Sequence, residues 1–133
     1  RLIAVQALHT SPVYQACKNG ADRILPLDAP QPTLAEGIAL PAPVRDREVL
    51  QALRASGGTA VAVSEEDIVK GIKRFGQAGF CVEPTSAVVW KAIEHLHAQD
   101  AIPAGSKIVA VLSGHGLKAA QSLGELLEKP LGA

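Results

Sequence analysis

The 133 residues suffice for one ordinary domain, burying roughly 65–70% of its unfolded surface, and no more. Apolar residues at 47% against 20% charged exclude a disordered chain. Thirteen basic residues balance thirteen acidic ones and aromatics are only 3%, which argues against a general grip on nucleic acid or anionic membrane and against base-stacking platforms; no apolar run nears the ~20 residues of a bilayer span.

The chain opens Arg1-Leu2-Ile3-Ala4-Val5, entering a strand over Leu2–Gln6 almost at once, and contains no Met. With neither a polar lead-in nor a signal peptide, this start predicts a piece of a longer polypeptide. Ser11-Pro12 reads as an N-cap and first helical position, with the helix running through Tyr14 to about Cys17 and stopped by Asn19-Gly20. Pro26, Pro30, Pro32, Pro41 and Pro43 make residues 20–45 dense in breakers, yet the segment is too apolar for a flexible linker. It reads as an ordered excursion with a short helical turn inside Thr33–Leu40.

Asp46–Arg54 is a helix with Val49, Leu50 and Leu53 on one face, ended by Gly57-Gly58. Thr59–Val63 is a second strand. Ser64-Glu65-Glu66-Asp67 starts a helix in which Ile68, Ile72 and Phe75 recur on one face to about Gln77. Phe80–Val82 is a brief extended piece, and Pro84 opens a helix with Val88, Val89, Ala92, Ile93 and Leu96 as its buried stripe. Pro103-Ala104-Gly105 is a turn. Lys107–Leu112 is apolar from Ile108 on and predicts a strand buried on both faces of a parallel sheet. Ser113-Gly114-His115-Gly116 breaks it, and Leu117–Lys129 is a last helix weakened by Gly124. Alternating strands and helices predict an α/β fold with a mainly parallel sheet. Cys17 and Cys81 form no C-x-x-C pair and read as reduced thiols of a cytosolic protein rather than a disulfide.

Ligands in open α/β sheets bind beyond the carboxyl ends of strands, which singles out Ser113-Gly114-His115-Gly116-Leu117-Lys118. A hydroxyl stands there beside two glycines that let the backbone pass close to a ligand. The alternative is a plain strand-to-helix turn with a Ser cap, since neither common phosphate-loop pattern is present. A second candidate is Glu83-Pro84-Thr85-Ser86-Ala87, a carboxylate and two hydroxyls at a helix N-terminus that favours anions, or simply a capped helix. A third is Thr33-Leu34-Ala35-Glu36-Gly37-Ile38-Ala39, where Gly37 admits a flat ligand against the backbone, or marks a turn. His95 and His97 point about 200° apart on a helix and cannot chelate one ion, and no Cys or Asp cluster completes a ligand set, so no metal is expected. His9 and His115 are isolated in sequence.

Val111-Leu112-Ser113-Gly114-His115-Gly116-Leu117-Lys118 resembles the C-terminal signature of the threonine synthase family, a Thr or Ser followed by Gly-His-Gly-Leu-Lys. Glu36-Gly37-Ile38-Ala39, Ser56-Gly57-Gly58, Val63-Ser64-Glu65-Glu66 and Glu83-Pro84-Thr85-Ser86-Ala87 follow in the family's order. The likeness runs from about Leu2 to Lys118. Gly-His-Gly-Leu-Lys is fairly specific. The other motifs recur across the fold-type II pyridoxal-phosphate enzymes, including serine and threonine dehydratases and the tryptophan synthase β chain.

The resemblance implies a three-layer αβα fold, with residues 1–133 forming the C-terminal part of the large domain. The N-terminal half, with the Schiff-base lysine and the Gly-rich phosphate loop, is expected outside this chain. None of the seven lysines matches the Schiff-base position, so no catalytic residue is expected here and the chain alone should be inactive. For pyridoxal 5'-phosphate the resemblance implies four binding residues. Ser113 matches the hydroxyl that hydrogen-bonds the pyridine nitrogen, with Gly114 beside it. Glu83 matches the acidic residue at the ring's edge, and Gly37 the backbone against the ring. A neutral hydroxyl leaves the ring a milder electron sink than a carboxylate would, which suits elimination and replacement. Ala119 stands where the family often has Asp.

The implied activity is conversion of O-phospho-L-homoserine and water to L-threonine and phosphate, in the cytoplasm. The implied partners are that small-molecule substrate and either a second copy or the N-terminal half, with no nucleic acid or membrane. Two alternatives stay open: a serine/threonine dehydratase or other β-replacing enzyme of the same fold type, and a non-catalytic α/β ligand-binding module.

Overall fold

The computed structural model describes residues 1–128 and contains two compact units, Arg1–Glu65 and the residues from Glu66 onward. In the first unit, β1 (Ile3–Ala7) and β2 (Thr59–Val63) pair in parallel, Ile3 opposite Thr59 and Ala7 opposite Val63. Parallel strands need a long crossover, and here it carries α1 (Pro12–Lys18), the Pro-rich excursion and α2 (Asp46–Ala55). The α/β class with a parallel sheet is the class anticipated, and both strands and both helices stand within about a residue or two of the expected bounds.

Apolar spacing on α1 and α2 builds this unit's core. Val13, Ala16, Leu50 and Leu53 are buried together with Ile24 and Ala60, and Tyr14, Cys17 and Val49 pack against them. Burial raises the pKa of the Cys17 thiol, with Arg54 opposing, so it stays protonated. Cys17 and Cys81 are both free. Arg23 donates to the Asp46 carboxylate at the start of α2 and holds that carboxyl below the usual range. Stability from this pair is present above the ordinary Asp pKa and is lost as pH falls through the lowered value.

One turn differs from expectation, and the Gly57-Gly58 stop stands where it was expected. Ser11 does not cap α1; its hydroxyl donates to the Leu8 carbonyl, 3.1 Å away. The free N–H of Tyr14 goes instead to Gln6 Oε1 at 3.0 Å, a cap supplied by the preceding strand and invisible to local sequence rules. Ser56-Gly57-Gly58 is a structural turn. Gly57 has φ +61°, a methyl on Gly58 would overlap the Leu2 carbonyl, and Ser56 Oγ accepts the Leu2 N–H at 3.1 Å.

The Pro-rich excursion is ordered, as anticipated. Leu27 N–H donates to Pro41 O at 3.1 Å, and a short 3-10 turn forms at Glu36–Ile38.

In the second unit α3 (Glu65–Gln77, whose first residue closes the first unit) crosses α4 (Pro84–Ala98). Ile68, Ile72 and Phe75 are buried on α3, and Ala87, Val88, Ala92 and Leu96 on α4; Val89 and Ile93 are only half-buried. The Phe75 ring meets Trp90 edge-on at 5.6 Å. Glycine is required at the crossing, because a methyl on Gly71 would overlap the Ala87 carbonyl. A 3-10 turn (Gly116–Ala119) leads into α5 (Ala120–Glu128); the anticipated end at Lys129 lies outside the described residues.

The strand anticipated at Lys107–Leu112 is not one. The run has no ladder partner among the described residues, and Val109 and Val111 are 89% and 72% exposed. Apolar content makes a segment fit to be a buried strand, but only a neighbouring strand makes it one, and the described residues supply none.

Gly71→Ala should destabilise by about 1–2 kcal/mol in thermal unfolding: the clash outweighs the roughly 1 kcal/mol that alanine gains in a helix. An unchanged or higher melting temperature would mean that the two helices separate at little cost.

Candidate functional site

Residues 81–86 and 113–116 are distant in sequence and meet in the second unit. Val82 and His115 form an isolated antiparallel bridge, and Gly116 N–H donates to Cys81 O at 2.8 Å. Glu83 N–H donates to Gly114 O at 3.1 Å. Ser86 completes the joint. Fully buried, its hydroxyl accepts the Gly114 N–H at 3.0 Å and donates to the Gly114 carbonyl at 3.3 Å. The hydroxyl seen in sequence as part of an anion-favouring helix start is therefore spent on bracing the Ser113-Gly114 turn. The amides of Ser86 and Ala87 are likewise engaged, by the Glu83 carbonyl.

Both glycines of Gly-His-Gly have a steric reason. A Cβ on Gly114 would fall on the Glu83 carboxylate. A Cβ on Gly116 would stand 2.6 Å from Cys81 Sγ and 2.9 Å from Leu123 Cδ1. His115 Nδ1 accepts the Leu117 N–H at 3.2 Å and caps the following 3-10 turn, so the signature histidine has a structural duty. Lys118 is exposed.

Of the four candidate cofactor residues, Glu83 and Gly114 are in contact and Ser113 adjoins them. Ser113 is exposed, and its hydroxyl makes no hydrogen bond to any described residue. Glu83 is half-buried, and its carboxylate accepts none from the described residues. A neutral donor thus stands uncommitted one residue from the glycine that makes room for an uncommitted carboxylate. That pair fits an electron-poor heterocycle with an acceptor nitrogen, and the pyridine ring of pyridoxal phosphate is one.

Gly37 belongs to the first unit, in the Glu36–Ile38 turn, and is exposed. Its backbone is not among the left-handed glycines, so conformation alone does not demand glycine there. His95 and His97 are exposed near the end of α4, with His95 Nε2 3.0 Å from Gln99 Nε2. Among the described residues no three His, Cys, Asp or Glu side chains form a group able to hold a metal. Nor is any helix among them long and apolar enough to cross a membrane.

The sequence profile of the pyridoxal-phosphate dependent enzymes matches residues 1–114. The chain belongs to this family. Among curated family members it is 33% identical to a threonine synthase of Methanosarcina acetivorans over 131 residues, 98% of this chain and 32% of the relative. It is 32% identical to a threonine synthase of Methanocaldococcus jannaschii over 132 residues, again 98% of this chain and 32% of the relative. The chain thus spans about a third of the length of these relatives. The crystal structure of threonine synthase from Escherichia coli superposes with a TM-score of 0.75 at 22% identity, over 100% of this chain and 30% of that one. The crystal structure of a T.th. threonine deaminase superposes with a TM-score of 0.59 at 25% identity, over 73% of this chain and 34% of that one. The fold is theirs, and the family's cofactor is pyridoxal phosphate.

The two glycines should separate in thermal unfolding. Gly114→Ala meets only the far end of a flexible side chain and should cost less than about 1 kcal/mol, displacing Glu83 instead. Gly116→Ala meets Cys81 and Leu123 and should cost about 1–3 kcal/mol. Equal losses would contradict the contacts described.

Proposed function

We propose that this chain is the C-terminal part of the large domain of a threonine synthase, which converts O-phospho-L-homoserine and water to L-threonine and phosphate. One observation carries the reading. The Ser113-Gly114-His115-Gly116-Leu117-Lys118 signature is folded onto Glu83-Pro84-Thr85-Ser86, leaving Ser113 and Glu83 uncommitted. The threonine synthases that align with nearly the whole chain support it.

In this reading the Ser113 hydroxyl donates to the pyridine nitrogen, Glu83 stands at the ring's edge, Gly114 leaves Glu83 room to do so, and the Gly37 backbone lies against the ring. Pyridoxal phosphate, when bound, supplies the electron sink for the carbanion steps. The protein's part is to hold the ring and set its polarity. A serine hydroxyl offers a hydrogen bond without delivering a full proton, which suits loss of phosphate and addition of water. The lysine that bears the cofactor and the loop for its phosphate belong, in this proposal, to a preceding segment. The enzyme works in the cytoplasm, where free thiols persist.

A second reading, a serine/threonine dehydratase, is favoured by the likeness to threonine deaminase. That likeness covers 73% of the chain at a lower TM-score. Assays of the full-length protein with O-phosphohomoserine, threonine and serine decide between them. Threonine release from phosphohomoserine is expected; 2-oxoacid release from threonine or serine would select the dehydratase. No turnover and no cofactor binding by the full-length protein would leave the non-catalytic module. Ser113→Ala should weaken cofactor binding by about tenfold and lower turnover with it, the scale of one lost hydrogen bond to a desolvated acceptor. Unchanged turnover and cofactor absorbance would overturn the assignment.

The exposed Ile108–Leu112 run implies cover from neighbouring strands in the whole enzyme. The 133-residue chain alone should therefore self-associate in sedimentation velocity. Val109→Lys with Val111→Lys should reduce that association, and a monomeric unmodified chain at high concentration would contradict it.

A further inference from the structure

We propose that Glu65 is a positioning residue that sets the cofactor-facing turn bearing Gly37, by clasping the preceding strap. The inference rests on the proposed function, in which Gly37 lies against the ring.

The sequence motif Val63-Ser64-Glu65-Glu66 reads as an ordinary helix start, and in the structure Glu65 is the first residue of α3. Its side chain does something a helix start does not require. One carboxylate oxygen accepts the Thr33 hydroxyl at 2.6 Å, and the other accepts the Leu34 N–H at 2.7 Å. Both partners lie 31 or 32 residues upstream, in the Pro-rich excursion. Two short bonds to one ionised group are the strong kind.

The clasp passes on to Gly37 through a chain of bonds. Thr33 Oγ1 also accepts the Ala35 N–H at 3.2 Å. Ala35 is fully buried, and its carbonyl accepts the Ile38 N–H at 3.0 Å, closing the turn that contains Gly37. The other side of the strap is tied to the end of β1. His9 Nδ1 donates to Pro32 O at 2.6 Å, and Thr10 Oγ1 to Gln31 O at 3.3 Å. His9 Nδ1 also stands 3.7 Å from Glu65 Oε1. Glu65 and His9 thus lie just beyond the carboxyl ends of the two parallel strands, where α/β sheets hold their ligands, and they anchor one strap from both.

The geometry makes a specific demand. A carboxylate accepts two bonds at once; glutamine can match it by accepting Leu34 N–H and donating to Thr33 Oγ1; alanine can do neither. The test uses the full-length protein carrying this chain, stripped of cofactor and titrated with pyridoxal phosphate. It reads the dissociation constant and the visible circular dichroism of the bound cofactor. Amide exchange over residues 31–40 is read separately without cofactor.

Glu65→Ala should raise the dissociation constant about tenfold, weaken the induced dichroism and speed exchange at Leu34 and Ala35. Glu65→Gln should restore most of all three. Thr33→Val should move the same readouts in the direction of Glu65→Ala, and it serves as the test should Glu65→Ala fail to fold. Gly37→Val separates two kinds of failure. If it alters the cofactor's dichroism while Glu65→Ala and Thr33→Val do not, the clasp is overturned and the reading of Gly37 stands. If Gly37→Val leaves affinity and dichroism unchanged, the contact of Gly37 with the ring is wrong, and the proposal falls with it.

Discussion

The second unit depends on one buried hydroxyl. Ser86 is wholly removed from solvent and its oxygen meets both polar groups of Gly114, 28 residues away in sequence. Each such bond adds only about 1 kcal/mol net, but leaving a buried partner unmade costs about 1–3 kcal/mol. The penalty fixes register more than it adds stability. A slip of one residue would strand the hydroxyl and move Gly114 away from Glu83, placing a side chain where the carboxylate lies. The loop carrying Ser113 is thus held in one setting by a buried hydroxyl on another segment.

The first unit solves a different problem. Two parallel strands of five residues make a ladder too small to stand alone. It is completed by helices on its own crossover, whose apolar faces bury Leu50, Leu53, Val13 and Ala16 beside Ala60. The ladder's entry is built by Ser56 and Gly58 around Leu2: the serine accepts the Leu2 N–H, and Thr59 N–H donates to the Leu2 carbonyl at 3.1 Å. At its far end the Pro-rich strap replaces what would otherwise be loose connecting chain. Polar ties from His9, Thr10 and Glu65 do there what apolar packing does at the core.

Sequence reading reached what is local. Helix faces at Val49-Leu50-Leu53 and Ile68-Ile72-Phe75, the β2 strand, and the glycine stops all follow from spacing and backbone freedom within a few residues. It failed where the deciding partner is remote. Lys107–Leu112 has the composition of a central strand and no ladder beside it among the described residues. Ser11 has the composition of a cap, yet the capping group is Gln6. Of the site, Glu83 and Gly114 were legible as motif residues, but their contact was not. No local pattern says that a glycine is bare because a carboxylate from another segment rests on it. Glu65 was hidden for the same reason, since a glutamate opening a helix looks complete without its distant partners.

In the proposed reading, the groups at the Ser113 turn favour one orientation of the pyridoxal-phosphate ring. An aromatic ring carries positive potential at its edge and negative potential on its faces. A carboxylate is therefore welcome at the rim and repelled from the face. Gly114, having no Cβ, leaves the space that the Glu83 carboxylate occupies, and no counter-ion among the described residues neutralises it. Ser113, beside Gly114 in sequence, would on the same proposal offer a neutral donor, which satisfies a ring nitrogen without bringing a second formal charge to the ring that Glu83 borders. An aspartate at 113 would, on that proposal, bring a second carboxylate to the same ring and change the protonation of its nitrogen. Serine at 113 and glutamate at 83 would thus act on the proposed ring together: a single carboxylate at the rim is compatible with a neutral donor at the nitrogen.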